Sequence, residues 1–251
     1  VGLTTVQLNS TGVLDLNGFN DTVGNITMFT GVTDSSDILL KGGTLTMAGP
    51  TLTLSTFQGS SGVSPAATIQ DGVGFSGGTF DIGALSSSQG VNQTWTAGSM
   101  LKNINVNDTQ LQHIATDLDI SAKLAGGANV ALRKDGGGTL RLSGDNAATL
   151  ASPVIHNGGL LEIGHNNALG SGLFSHQVDG AAIVGVNGPR TINNAIAIDS
   201  HPTFLGSDLT FTGNVTLTGG RTLRTMDAAQ TVTFTGVISE GIYGTSTVNK
   251  D

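Results

Sequence analysis

The feature that most constrains this chain is a six-residue phrase, a glycine-rich pair followed by a short alternating run. It occurs as "TGVLDL" (Thr11–Leu16), "GGTLTM" (Gly42–Met47), "GGTFDI" (Gly77–Ile82), "GGTLRL" (Gly137–Leu142) and "GGLLEI" (Gly158–Ile163), the last two 21 residues apart. In every copy the fourth and sixth positions are large and apolar: Leu14/Leu16, Leu45/Met47, Phe80/Ile82, Leu140/Leu142 and Leu161/Ile163. The position between them is polar each time: Asp15, Thr46, Asp81, Arg141 and Glu162. Period-two alternation places the apolar pair on one face of a strand and the polar residue on the other. Asp, Thr, Arg and Glu share no chemistry, so the outward slot is expected to ask only for solubility.

Composition supports strands joined by many turns. The 38 glycines are roughly twice average usage, and only 11% of residues are charged, so Thr, Ser and Asn must meet the water. Thr favours strands, while Gly, Asn and Asp favour tight turns. A hydrophobic fraction of 37% over 251 residues is enough for a substantial core. The net charge of −8 lacks the basic face that nucleic acid requires, so no nucleic-acid partner is expected. There is no cysteine, which rules out disulfides and thiolate metal sites and suits a secreted chain.

A larger unit is also visible. "NVALRKD" (Asn129–Asp135) and "TSTVNKD" (Thr245–Asp251) both end a strand-like run on Lys-Asp, and "LDLNGFNDTVGNITM" (Leu14–Met28) parallels "VGVNGPRTINNAIAI" (Val184–Ile198). The chain opens on Val without signal-peptide character, and both termini fall inside the pattern. The expectation is a slice of a longer array, residues 1–135 closing one module and 136–251 forming most of the next. An uncapped slice exposes an unpaired sheet edge at each end, which motivates head-to-tail assembly. No stretch carries a helix signature; the best candidate, Asp108–Ala125, alternates in its second half and reads as strand. Strands separated by Gly/Asn turns at this spacing predict an all-β solenoid, a parallel β-helix in one continuous array. With a rung near 21 residues, roughly ten to twelve coils would span on the order of 50–60 Å.

The segment "VALRKDGGGTLRLSGDN…VIHNGGLLEIGHNNALGSG" (Val130–Gly172) resembles the autotransporter-associated β-strand repeat, also called the passenger-associated transport repeat. Its pattern is a Lys, a Gly-rich turn, "GTLxLSG-N", a variable middle, then "xGGxLxxG…ALGSG". The middle is atypical here, "AATLASP" (Ala147–Pro153) standing where a "TYTGGT"-like stretch is usual. The resemblance implies a right-handed parallel β-helix in a large secreted or outer-membrane-associated bacterial surface protein. The family's C-terminal membrane barrel has no counterpart in these residues.

Several chemical motifs compete with that architecture. "GVGFSG" (Gly72–Gly77) matches a dinucleotide fingerprint and "GFSGG" (Gly74–Gly78) a serine-hydrolase elbow around Ser76. Both need a following helix, and both run instead into the strand "GTFDI". Polysaccharide lyases and hydrolases are built on β-helices and need paired carboxylates; Asp117 and Asp119 are expected to share a strand face within reach of His113 or Lys123. The surroundings lack "GHG" or "RIK" stretches of such enzymes. His113, His156, His165, His176 and His201 stand in turn-like sequence without metal-ligand spacing and read as surface turns. Thr-x-Thr pairs (Thr44/Thr46, Thr51/Thr53, Thr94/Thr96, Thr216/Thr218, Thr231/Thr233/Thr235) raise ice or crystal binding, but their spacing is too irregular for one ladder.

The expectation is therefore a non-enzymatic, extracellular structural or adhesive segment, with no catalytic, cofactor or metal residues. Its partners are other β-helix segments of the same protein, head-to-tail copies, or surface glycans and host matrix ligands. A polysaccharide-binding or polysaccharide-degrading β-helix is the alternative.

Overall fold

A computed structural model describes residues 3–56, 65–83, 100–108, 115–241 and 248–250. Every strand pairing is parallel, there is no helix among the described residues, and the chain winds as a β-solenoid of about 9 turns. Two ten-stranded sheets run along it. The first stacks Val6–Leu8, Ile26–Thr30, Thr51–Thr56, Met100–Val106, Val130–Asp135, Val154–His156, Phe174–His176, Ile196–Ile198, Val215–Leu217 and Ile238–Glu240. The second begins with Val13–Asp15 and Asp37–Leu39, continues through Leu118–Ile120, Thr139–Leu142 and Leu160–Ile163, and reaches Val248–Lys250.

A third face is interrupted. Asp21–Val23, Thr44–Met47, Thr79–Asp81 and Lys123–Ala125 form one stack, and Arg190–Ile192, Leu209–Phe211 and Val232–Phe234 form another. Between them, two successive rungs replace the strand with tight turns at 147–149 and 166–169. The atypical "AATLASP" lies in this gap and stacks beneath "ALGSG": Asn146 Nδ2 donates to the Ala168 carbonyl at 2.7 Å, and the Ser171 amide to the Leu150 carbonyl at 2.8 Å. A Cβ on Gly170 would sit 2.1 Å from the Leu150 carbonyl oxygen, and one on Gly172 equally close to that of Ser152. These glycines are set by backbone approach between rungs.

All five phrase copies send their apolar pairs inward, Leu14 only partly buried and the others fully so. They do not occupy one place in the coil: Thr11–Leu16, Gly137–Leu142 and Gly158–Ile163 enter the second sheet, while Gly42–Met47 and Gly77–Ile82 enter the third. The phrase therefore marks a corner plus a strand. The parallel between Leu14–Met28 and Val184–Ile198 holds: each passes from second sheet to third to first. Each turns through a left-handed Asn-Gly pair, Asn17/Gly18 at φ 50°/83° and Asn187/Gly188 at 61°/97°, the conformation in which Asn and Gly are least strained.

The Lys-Asp parallel does not hold, because Val130–Asp135 belongs to the first sheet whereas Val248–Lys250 pairs with Arg221–Leu223 of the second. Rung length also departs from a uniform 21. Register steps are 20 residues from Val6 to Ile26, 26 from Ile26 to Leu52 and 52 from Leu52 to Ile104. They are 22 from Leu132 to Val154 and 20 from Val154 to Phe174. The longer rungs leave ten strands in the first sheet, nine steps of about 4.8 Å, or about 43 Å. This is shorter than the length expected from a uniform rung. Of the Asp108–Ala125 stretch, Leu118–Ile120 and Lys123–Ala125 are strands; its 109–114 portion lies outside the described residues.

Candidate functional site

Strand parity decides which side chains enter the core, and in four adjacent rungs it brings in ionisable ones. In the first sheet Ile104 is in register with Lys134, Lys134 with His156, His156 with His176, and His176 with Ile198. Lys134, His156 and His176 are all buried, which corrects the surface-turn reading of two histidines. They sit at corners, as their neighbours Asn157 and Gly158 indicate, but on the inward parity of Val154 and Phe174. His165 and His201 do lie at part-exposed corners, each Nδ1 accepting a backbone amide, from Asn167 and Thr222. His113, Thr94 and Thr96 lie outside the described residues.

Two lysines occupy interior positions. Lys134 Nζ donates to the carbonyls of Gly136, Gly138 and Gly158 at 2.8, 2.6 and 2.7 Å, and Lys102 Nζ to those of Met47, Ala48 and Gly49 at 2.7, 2.9 and 2.8 Å. Each ammonium thus uses three protons on three carbonyls. The acceptors belong to corners, where the chain turns out of the ladder. Burial pulls both lysines down to about 8; Asp117 and Asp135 work the other way at Lys134, as Asp81 does at Lys102.

Asp117 and Asp119 do not share an exposed face. Asp117 precedes its strand and is buried, its Oδ2 accepting the Thr139 amide at 2.7 Å. Asp119 faces outward from Leu118–Ile120, in register with Arg141, which is in register with Glu162. Arg141 Nε donates to Glu162 Oε2 at 2.6 Å, Thr116 Oγ1 to the same oxygen at 2.8 Å, and Ser143 Oγ to Asp119 at 2.8 Å. Burial raises the Asp119 carboxyl above its ordinary range, while Ser143 and Arg141 oppose that. A second tie joins Lys41 to Asp15 at 2.6 Å. The outward slots therefore do more than meet solvent: successive rungs pair opposite charges across the sheet.

The fingerprint loop Gly72–Gly77 is an exposed corner. Asp71 closes it by accepting the amides of Gly42 and Gly78 at 2.9 and 2.8 Å, and Ser76 is exposed on a turn that leads into Thr79–Asp81. Thr rows are short; Thr191, Thr210 and Thr233 stack over three rungs, whereas Thr27 and Thr53 run on into Asn105. A cleft of about 450 Å³ opens beside Phe204, Leu223, Val232 and Phe234, and among the described residues none that is titratable lines it.

No described protein family, curated protein or solved structure matches the chain. The resemblance of Val130–Gly172 rests on its own residues.

Proposed function

We propose that this chain is a non-enzymatic structural or adhesive segment, of the autotransporter-associated repeat type, in a large extracellular or outer-membrane-associated bacterial surface protein. Its work is to make length and stiffness, holding adhesive elements away from the cell or joining head-to-tail copies and other β-helix segments into a fibre. The observation that carries this reading is the unbroken ten-strand parallel register of two sheets around one hydrophobic core. Such an array resists bending because each rung is hydrogen-bonded to the next along the whole axis. The cross-rung pairs Arg141–Glu162 and Lys41–Asp15 add lateral ties and use outward charge within the rod.

Small-angle scattering and electron microscopy of the purified chain test this. A rigid rod whose length is unchanged by moderate salt, either single or in end-to-end multiples, supports the reading; a flexible or collapsed particle overturns it.

A second reading, binding or cleavage of a surface polysaccharide, is favoured by the half-buried Asp119 beside Arg141, its carboxyl raised by burial above the ordinary range. Binding to a glycan array that Asp119→Asn abolishes would move the assignment to that reading.

A further inference from the structure

We propose that the stacked inward side chains Lys134, His156 and His176 form an acid-triggered break in the middle of the solenoid. At neutral pH the column is closed with both imidazoles uncharged; acidification opens these rungs before the aliphatic rungs that precede them.

The geometry disfavours a further proton on either ring. His156 Nε2 donates to the Gly159 carbonyl at 3.2 Å, so its Nδ1 lone pair faces His176 Nδ1, 3.2 Å away. The hydrogen between the two rings then belongs to His176. The remaining nitrogen, His176 Nε2, is buried without a hydrogen-bond partner. The His176 ring helps to line a void of about 10 Å³ whose other walls are apolar, among them Phe174, Ile183, Ile198, Phe204 and Phe211. That is the lower limit for one water, which needs at least two polar partners. A proton added to His156 would set two N–H groups against each other unless His176 moved its own hydrogen to the partnerless Nε2. One added to His176 would go on a buried nitrogen that has no hydrogen-bond partner. Either would place a second positive charge in a column that already holds an ammonium.

The charged groups facing the pair are few. Lys134 lies on the preceding rung, with Asp117 and Asp135 acting on it. Asp179 and Asp199 act on His176. Asp179 accepts from Ser200 Oγ and the His201 amide, and Asp199 from Ser175 and Thr218. Burial, reinforced by His176 and Lys134, pulls His156 from 6.5 to about 3; burial pulls His176 to about 4, against Asp179, the Val178 carbonyl and Asp199. Both shifts lower the folded value of a base. Between pH 6.5 and about 4 the open form therefore takes up protons that the closed form refuses, and stability falls as pH falls. The limit is about tenfold in the opening equilibrium per pH unit per histidine, about a hundredfold for the pair.

Hydrogen exchange followed by mass spectrometry on the 251-residue chain, corrected for the intrinsic pH dependence, tests this between pH 7 and 4.5. Protection at Val130–Asp135, Val154–His156 and Phe174–His176 should fall by up to about a hundredfold per pH unit, with much smaller losses at Ile26–Thr30 and Thr51–Thr56. The double variant His156→Leu/His176→Leu should lose that pH dependence. Even loss along the chain, or a double variant with the native pH profile, overturns the proposal. Should the double variant not fold, NMR titration of the two imidazoles in the native chain decides. Resonances unmoved down to pH 4.5 in the folded form support the proposal, and titration near 6.5 without opening sinks it.

Discussion

One interior column runs the length of the first sheet, and two of its stretches are built from opposite chemistry. Val6, Ile26, Leu52 and Ile104 follow one another in register. The next three rungs place Lys134, His156 and His176 in the same column before Ile198 and Leu217 restore the aliphatic ladder. The polar stretch survives because it lies beside corners. There the backbone carbonyls of Gly136, Gly138, Gly158 and Gly159 turn toward the interior and receive the donors. An aliphatic rung is stabilised by area removed from water. A polar rung is stabilised only while every donor keeps its acceptor, so it is the more easily broken of the two.

The comparison is broken hardest by Lys134→Ala. It removes the ammonium from three carbonyls, that of Gly138 keeping the Leu160 amide at 3.2 Å, and leaves the buried Asp117 without its neighbouring cation. A loss of about 3–5 kcal/mol in urea unfolding is expected. Ile104→Ala, one rung earlier in the same column, should cost about 2–5 kcal/mol through cavity formation alone. The two differ in rescue: Ile104→Val should recover most of its loss, and Lys134→Met should not, because volume is not what the site lacks. Equal rescue by both would show that the polar stretch is ordinary packing.

A smaller effect probes the interrupted third face. Asn194 Nδ2 donates to the carbonyls of Gly170 and Gly172 at 3.1 and 2.7 Å, tying the resumed strand stack to the "ALGSG" turn. Asn194→Ala should cost about 1–2 kcal/mol. Exchange protection should be lost first at Arg190–Ile192 rather than at the polar column.

The smallest effect separates inside from outside. The Asp119 carboxyl, raised by burial, binds its proton more readily folded than unfolded, so its contribution improves as pH falls, opposite in sign to the histidine pair. Because the group is partly solvated, Asp119→Asn should change stability at pH 7 by under about 0.5 kcal/mol. A larger loss would mean that the outward charge row, and not only the core, holds the rungs together.

Much of this was legible locally. The alternation in Leu140/Leu142 and Leu161/Ile163 identifies inward faces, and the Asn-Gly pairs at 17/18 and 187/188 identify equivalent corners. The same parity rule, applied to Val130-Leu132-Lys134, Val154-His156 and Phe174-His176, places the two histidines inside. Their turn-like neighbours pointed instead to the surface. Those neighbours do form corners, but a corner residue at a strand's end still obeys the strand's alternation.

The sequence alone determined that this chain is all-β, that it repeats, and which positions of the repeated phrase face the core, because these follow from period-two patterning and turn chemistry within a few residues. Only the tertiary structure decided which rungs lie against one another. Asp119, Arg141 and Glu162 become neighbours, Asp117 turns inward, and His156 meets His176 because steps of about twenty residues bring those positions into register. The lengths of the connections between rungs set that register. A pattern read over six residues carries no information about a step that ranges from 19 to 52.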